Sequence, residues 1–130
     1  MRVLFVEDSE VNRRVVKEML RAGGVDMAEA EDGHVGLQMI ADNDYDLILM
    51  DLRMPGMDGM TAIRHIRART DEKANLPIIV VTADAGSTID ADCRAAGADD
   101  VVLKPVSMTT LFDAIGRLIA QRDQDSVVLA

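Results

Sequence analysis

Glu7 and Asp8 follow the apolar run Arg2–Val6, and Asp51 follows a second such run, Asp46–Met50. Thr82 and Lys104 end two others, Pro77–Val81 and Val101–Leu103. Three carboxylates brought within a few ångströms repel one another and raise a pKa unless a cation intervenes. A hard divalent ion answers this, and an all-oxygen site that retains waters suits Mg2+. Lys104, a flexible point charge, is the other neutraliser at hand. A cation and a lysine beside a carboxylate are also what phosphoryl transfer requires. Charge builds on the equatorial oxygens, and positioning with electrostatic stabilisation does most of the catalysis. In such a setting a carboxylate is a covalent acceptor, giving an aspartyl phosphate. The Thr82 hydroxyl offers a donor to a phosphoryl oxygen.

These residues are far apart in sequence, so the fold must gather them. The apolar runs alternate with longer amphipathic stretches. Ser9 is placed to cap a helix carrying Val11, Val15, Val16, Met19 and Leu20, which Gly23-Gly24 stops. Val25–Ala30 reads as a strand and Gly33–Asp42 as a helix. The Pro/Gly-rich loop Leu52–Asp58 leads into a helix through Met60, Ile63 and Ile66, and a weaker helix, Ile89–Ala96, closes at Gly97. Ser107 caps a final helix bearing Leu111, Phe112, Ile115 and Leu118. Five β-α units with continuously apolar strands predict an α/β fold, a doubly wound five-stranded parallel sheet with helices on both faces. Right-handed crossovers and the length fit the strand order 2-1-3-4-5. That order reverses direction between strands 1 and 3, opening a crevice at the carboxyl edge. Glu7, Asp8 and Asp51 would meet there, with Thr82 and Lys104 beside them. One domain is expected over residues 1–122, with 123–130 as a tail expected to be disordered.

Composition narrows the partners. The net charge of the 130 residues is −9, from 14 basic and 23 acidic side chains, so phosphate backbones would be repelled. Aromatics are only 2%, which removes a base-stacking platform. A lone cysteine, Cys93, fits a reducing compartment, and no apolar run approaches the roughly 18 residues that span a bilayer. The expectation is a soluble cytoplasmic protein that binds neither nucleic acid nor membrane.

Val-Glu-Asp at 6–8, Leu-Met-Asp-Leu-Arg-Met-Pro-Gly-Met-Asp-Gly at 49–59, Pro-Ile-Ile-Val-Val-Thr-Ala at 77–83 and Lys-Pro at 104–105 resemble the CheY-like receiver domains of two-component response regulators. Each motif alone is weak; four in this order and spacing are specific, and they cover roughly residues 2–120. The resemblance implies that Asp51 accepts a phosphoryl group from a phosphohistidine on a histidine kinase or histidine phosphotransfer protein. It implies a Mg2+ site of Glu7, Asp8, Asp51 and the backbone carbonyl of Arg53, with Thr82 and Lys104 contacting the phosphoryl group. A cis Lys104-Pro105 peptide is expected on the same ground. Val-Asn-Arg at 11–13 and Thr-Ala-Asp-Ala at 82–85 look closest to receivers of hybrid histidine kinases. The chain would act as a phosphorylation-controlled interaction module without an output domain of its own, taking part in its own phosphorylation and dephosphorylation rather than serving as an enzyme.

Three positions qualify the resemblance. Most receivers carry Tyr or Phe three residues before the lysine, where this chain has Val101, stiff at χ1 and without a ring to relocate. Arg53 and Asp84 occupy the flanking positions that modulate access to the site, and their charges are able to pair across its mouth. Plainer readings stand beside each residue: Glu7-Asp8 as a helix cap, Asp51 as a strand-end carboxylate, Lys104 as a surface lysine, Arg53 and Asp84 as solvated side chains. A haloacid-dehalogenase-type phosphatase also uses Asp, Mg2+, Thr and Lys. It needs Asp-x-Asp at the nucleophile, and Arg53 stands in the second place. A binding scaffold that has lost its switch is the remaining alternative, motivated by Val101.

Overall fold

The computed structural model describes the backbone of residues 1–129 and the side chains of residues 1–122. Five strands, β1 (Arg2–Val6), β2 (Asp26–Ala30), β3 (Leu47–Asp51), β4 (Ile78–Thr82) and β5 (Asp100–Leu103), alternate with five helices. These are α1 (Glu10–Ala22), α2 (Gly33–Asp42), α3 (Gly59–Arg67), α4 (Ile89–Ala96) and α5 (Met108–Leu129). Every strand pair is parallel, and the order is β2-β1-β3-β4-β5. All residues of β3 and β4 are buried, as strands covered on both faces must be. The edge strands also carry polar residues, Asp26 and Glu29 in β2 and Asp100 in β5.

Two apolar layers sandwich the sheet. Leu4, Val6, Ile48, Met50, Ile78 and Val80 point to one side and pack with Ile40, Ile63 and Ile66. Val3, Phe5, Leu47, Leu49, Ile79 and Val81 point to the other and pack with Val16, Leu20, Leu111 and Ile115. This period-2 alternation in runs that are apolar throughout gives each face a complete set.

Strand limits differ from the sequence reading by a residue for physical reasons. β3 and β4 each run one residue further, because Asp51 pairs with Val81 and Thr82 with Leu103 in the ladder. Side-chain polarity does not end a strand whose main chain still has a partner. β2 begins at Asp26 because the Val25 N–H is spent on the Leu20 carbonyl, closing the α1 terminus. Ser9 caps α1 through the Asn12 N–H, as expected, and Asp32 and Asp58 do the same for α2 and α3. A single 3-10 turn, Glu72–Asn75, has no counterpart in the sequence reading. The tail expected from residue 123 lies outside the residues whose side chains are described; the element running into it is α5.

Arg67, at the end of α3, ties the connection between α3 and β4 to the loop between α4 and β5. Its guanidinium donates to the carbonyls of Ala74, Leu76 and Gly97 and to Asp99 Oδ2 at 2.7–3.0 Å. Among the described residues no helix is long and apolar enough to cross a membrane.

Candidate functional site

Parallel strands deliver their last residues to one edge, and three of those ends build the site. β1 runs straight into Glu7-Asp8, β3 ends on Asp51 and β5 is followed by Lys104. Glu7, Asp8 and Asp51 bring one carboxylate oxygen each within 4.8 Å of one another. Lys104 Nζ lies 2.8 Å from Glu7 Oε1 and 3.5 Å from Asp51 Oδ1. Thr82 ends β4 one residue beyond Val81, the register partner of Asp51. The Lys104-Pro105 peptide is cis.

Burial shapes the chemistry. Glu7 is wholly buried and Asp51 is 4% exposed, while Asp8 opens to solvent. Little of Asp51 is therefore open to a reagent. Burial lifts the Glu7 carboxyl above the ordinary carboxylate range, the neighbouring Asp51 adds to this, and Lys104 opposes it. Burial alone would lower the Lys104 ammonium, but its contacts with Glu7 and Asp51 outweigh that and hold it above its usual value. Three carboxylates against one ammonium leave two net negative charges, the complement of a divalent cation. Glu7 Oε2 has no hydrogen-bond partner among the described residues, an oxygen spare for a ligand role. The donor set is all oxygen. The residues present fit Mg2+.

Around this centre the loops are fixed by local bonds. Thr82 Oγ1 accepts the Asp84 N–H at 3.1 Å, which leaves the hydroxyl proton free to be donated elsewhere. Asp84 Oδ1 accepts from the Gly86 N–H, and Asp84 Oδ2 accepts from Arg53 Nη2 at 2.8 Å. The two flanking residues named from sequence thus meet, with Arg53 largely exposed. Both contacts hold the Asp84 carboxyl below its ordinary value, the Gly86 N–H contributing most. Val101 sits half-buried on β5, in register with Val80 and packed on the core beneath α4.

Three further residues hold the site together in ways their motifs do not spell out. Asn12 Nδ2 donates to Glu7 Oε1 at 3.0 Å, and Arg13 Nη1 donates to the Glu7 carbonyl at 2.7 Å. Val-Asn-Arg was notable as a motif, but nothing in it says which acid these side chains serve. Gly59 opens α3 directly against the end of β3, where a Cβ would overlap the Asp51 carbonyl. The buried acid at position 7 was the one available clue, since such a group demands donors.

A family model described as the response regulator receiver domain matches residues 3–116. Chemotaxis protein CheY-3 of Vibrio cholerae is 34% identical over 119 residues, covering 91% of each chain. Two-component response regulator ORR41 of Oryza sativa subsp. japonica is 46% identical over 116 residues, 85% of this chain and 88% of that protein. Among solved structures, the receiver domain of a Pseudomonas aeruginosa sensor histidine kinase superposes with a TM-score of 0.83 at 36% identity. That match covers 92% of this chain and 97% of the other, which holds a coordinated magnesium ion in its active-site cleft. With the sheet order, the carboxylate cluster and these matches in agreement, the chain belongs to the response regulator receiver domain family of two-component signalling.

Proposed function

We propose that this receiver accepts a phosphoryl group on Asp51 from a phosphohistidine of a histidine kinase or histidine phosphotransfer protein, and that this modification changes which protein it binds. The observation that supports this most is the meeting of Glu7, Asp8 and Asp51 with Lys104 at one sheet edge. An Asp51 oxygen attacks phosphorus and the P–O bond forms as the P–N bond breaks. The electron pair stays on the imidazole nitrogen, which takes a proton from solvent. Lys104 then faces the charge arriving on the phosphoryl oxygens, and the Thr82 hydroxyl donates to one of them. Mg2+ held by Glu7, Asp8, Asp51 and the Arg53 carbonyl would supply positive charge opposite those oxygens. The same residues, with water in place of the carboxylate, serve dephosphorylation, so the chain takes part in its own cycle without turning over a separate substrate. Arg53 and Asp84 modulate that water's access. A cytosolic setting suits such a donor.

The test is incubation with phosphoramidate and Mg2+, followed by intact-mass measurement. One phosphoryl group should be gained by the wild type and none by Asp51→Asn or in EDTA. Sustained turnover of a phosphomonoester would point to a phosphatase instead. Amide NMR shifts unmoved by beryllofluoride with Mg2+ would point to a scaffold without a switch.

A further inference from the structure

Glu7 is held at its main chain and, separately, at its side chain. Its N–H donates to the Ala30 carbonyl at 3.0 Å, and its carbonyl accepts from Arg13, which is itself braced by Glu29. What remains free is rotation of the carboxylate. Two donors oppose that rotation, and both reach the same oxygen: Asn12 Nδ2 at 3.0 Å and Lys104 Nζ at 2.8 Å from Oε1. Oε2 is left without a partner among the described residues.

We propose that Asn12 is a positioning residue for the carboxylate site. Its amide keeps Glu7 Oε1 occupied, so that Oε2 stays available to the cation, and it continues to do so when Lys104 turns to the phosphoryl group. The inference rests on the Mg2+-dependent phosphoryl acceptance proposed above.

Lys104 cannot hold Glu7 throughout that reaction. Its ammonium already lies between Glu7 and Asp51, and new negative charge on Asp51 draws it away from Glu7. Without a second donor, Oε1 would then be a buried, unpartnered charge in a residue that is 0% exposed. The amide at position 12 prevents this while adding no charge, so the two net negative charges that favour a divalent ion are preserved. A cationic side chain there would compete with the metal. The main chain that carries this amide is anchored, because the Asn12 backbone N–H donates to the capping hydroxyl of Ser9 at 3.3 Å.

The experiment is a Mg2+ titration of the full chain by calorimetry and amide NMR, without any phosphodonor. Asn12→Ala and the volume-keeping Asn12→Leu should each weaken Mg2+ binding about 10-fold, the scale typical of groups that orient metal ligands. In a Lys104→Met background, where Asn12 is the remaining donor to Oε1, the loss from Asn12→Ala should be larger than in the wild type. Thermal unfolding in EDTA separates these effects from stability. A lowered unfolding temperature with the Mg2+ Kd within twofold of wild type in both variants overturns the proposal. Equal losses in the two backgrounds also overturn it. Failure of the wild-type chain to bind Mg2+ would overturn the functional reading itself.

Discussion

Arg53 Nη2 donates to Asp84 Oδ2 at 2.8 Å, joining the loop after β3 to the loop after β4. Asp84 is fixed on its other side by the Gly86 N–H, so this arm of the pair is already oriented before Arg53 arrives. The arginine is mostly solvent-exposed, and an exposed pair adds little to folding. The effect expected of it is on water reaching Asp51, as proposed above. Replacing both residues by Ala should leave the unfolding midpoint unchanged and speed loss of the Asp51 phosphoryl group by up to about fivefold, the ceiling for an exposed pair. Timed intact-mass spectra after removal of the donor would show it; an unchanged lifetime removes the gating role.

Gly59 is required by geometry. Its N–H donates to the Leu52 carbonyl at 2.9 Å, and an added Cβ would overlap the Asp51 carbonyl and lie 2.8 Å from the Leu52 Cα. Backbone cannot swing aside as a flexible side chain can. Gly59→Ala should cost about 1–3 kcal/mol in chemical denaturation. By displacing the end of β3 it should also slow phosphorylation by phosphoramidate roughly tenfold or more, as small misplacements of reacting groups do. A folded variant phosphorylated at the wild-type rate would show that α3 can retreat without moving Asp51.

The strand ends were legible because a parallel ladder leaves little choice about where they go, and buried runs mark the strands without ambiguity. The ligand-like acids and Lys104 therefore followed from topology alone. Asn12, Arg13 and Arg67 did not, because they bond to main-chain carbonyls or to one particular oxygen of an acid. Such acceptors exist at every residue and leave no trace in composition or periodicity. Gly59 stood in the 49–59 motif, but the reason for it was not legible: what excludes a side chain there is the carbonyl of a residue eight positions earlier.

Arg67 shows how much such a hidden group holds. It closes the space between α3, the 3-10 turn and the β5 approach with four hydrogen bonds, and it is 23% exposed at the side chain. Arg67→Ala removes the guanidinium donor from those carbonyls and from Asp99, which keeps the Ile78 N–H, and should cost about 3 kcal/mol. Arg67→Lys should recover less than half, since an ammonium cannot span the same fork. Denaturant midpoints at constant slope would report both. Phosphorylation of the folded fraction should be unaffected.

Asp58 supplies a pH-dependent contribution. The Thr61 hydroxyl and backbone N–H hold its carboxyl below the ordinary value, and Asp58 caps α3 through the Thr61 N–H at 2.7 Å. A depressed folded-state pKa means the stabilisation is complete above the unfolded value of about 3.9 and is lost as pH falls through the lower folded value. At pH 7, Asp58→Ala should cost about 1 kcal/mol. That deficit should shrink below pH 4, where the wild type protonates its own cap. A deficit that grows on acidification would contradict the capping assignment.

With valine at 101, the loop before α4 is the segment expected to carry the switch. The valine is half-buried and has no ring to turn, whereas Thr88, at the head of α4, makes no side-chain cap. The first amides of α4 are thus held less firmly than those of α1, α2 or α3, each of which has a capping side chain. Thr82 connects this loop to the site through the Asp84 N–H, and Asp84 continues to Gly86. A phosphoryl group that engages Thr82 pulls on that chain of turns and orders the helix start. Beryllofluoride with Mg2+ should therefore slow amide hydrogen exchange at residues 86–90 about 10-fold, comparable to adding one helix cap, with little change along β5. Protection arising instead at 100–103 would mean that β5 carries the signal even with valine at 101.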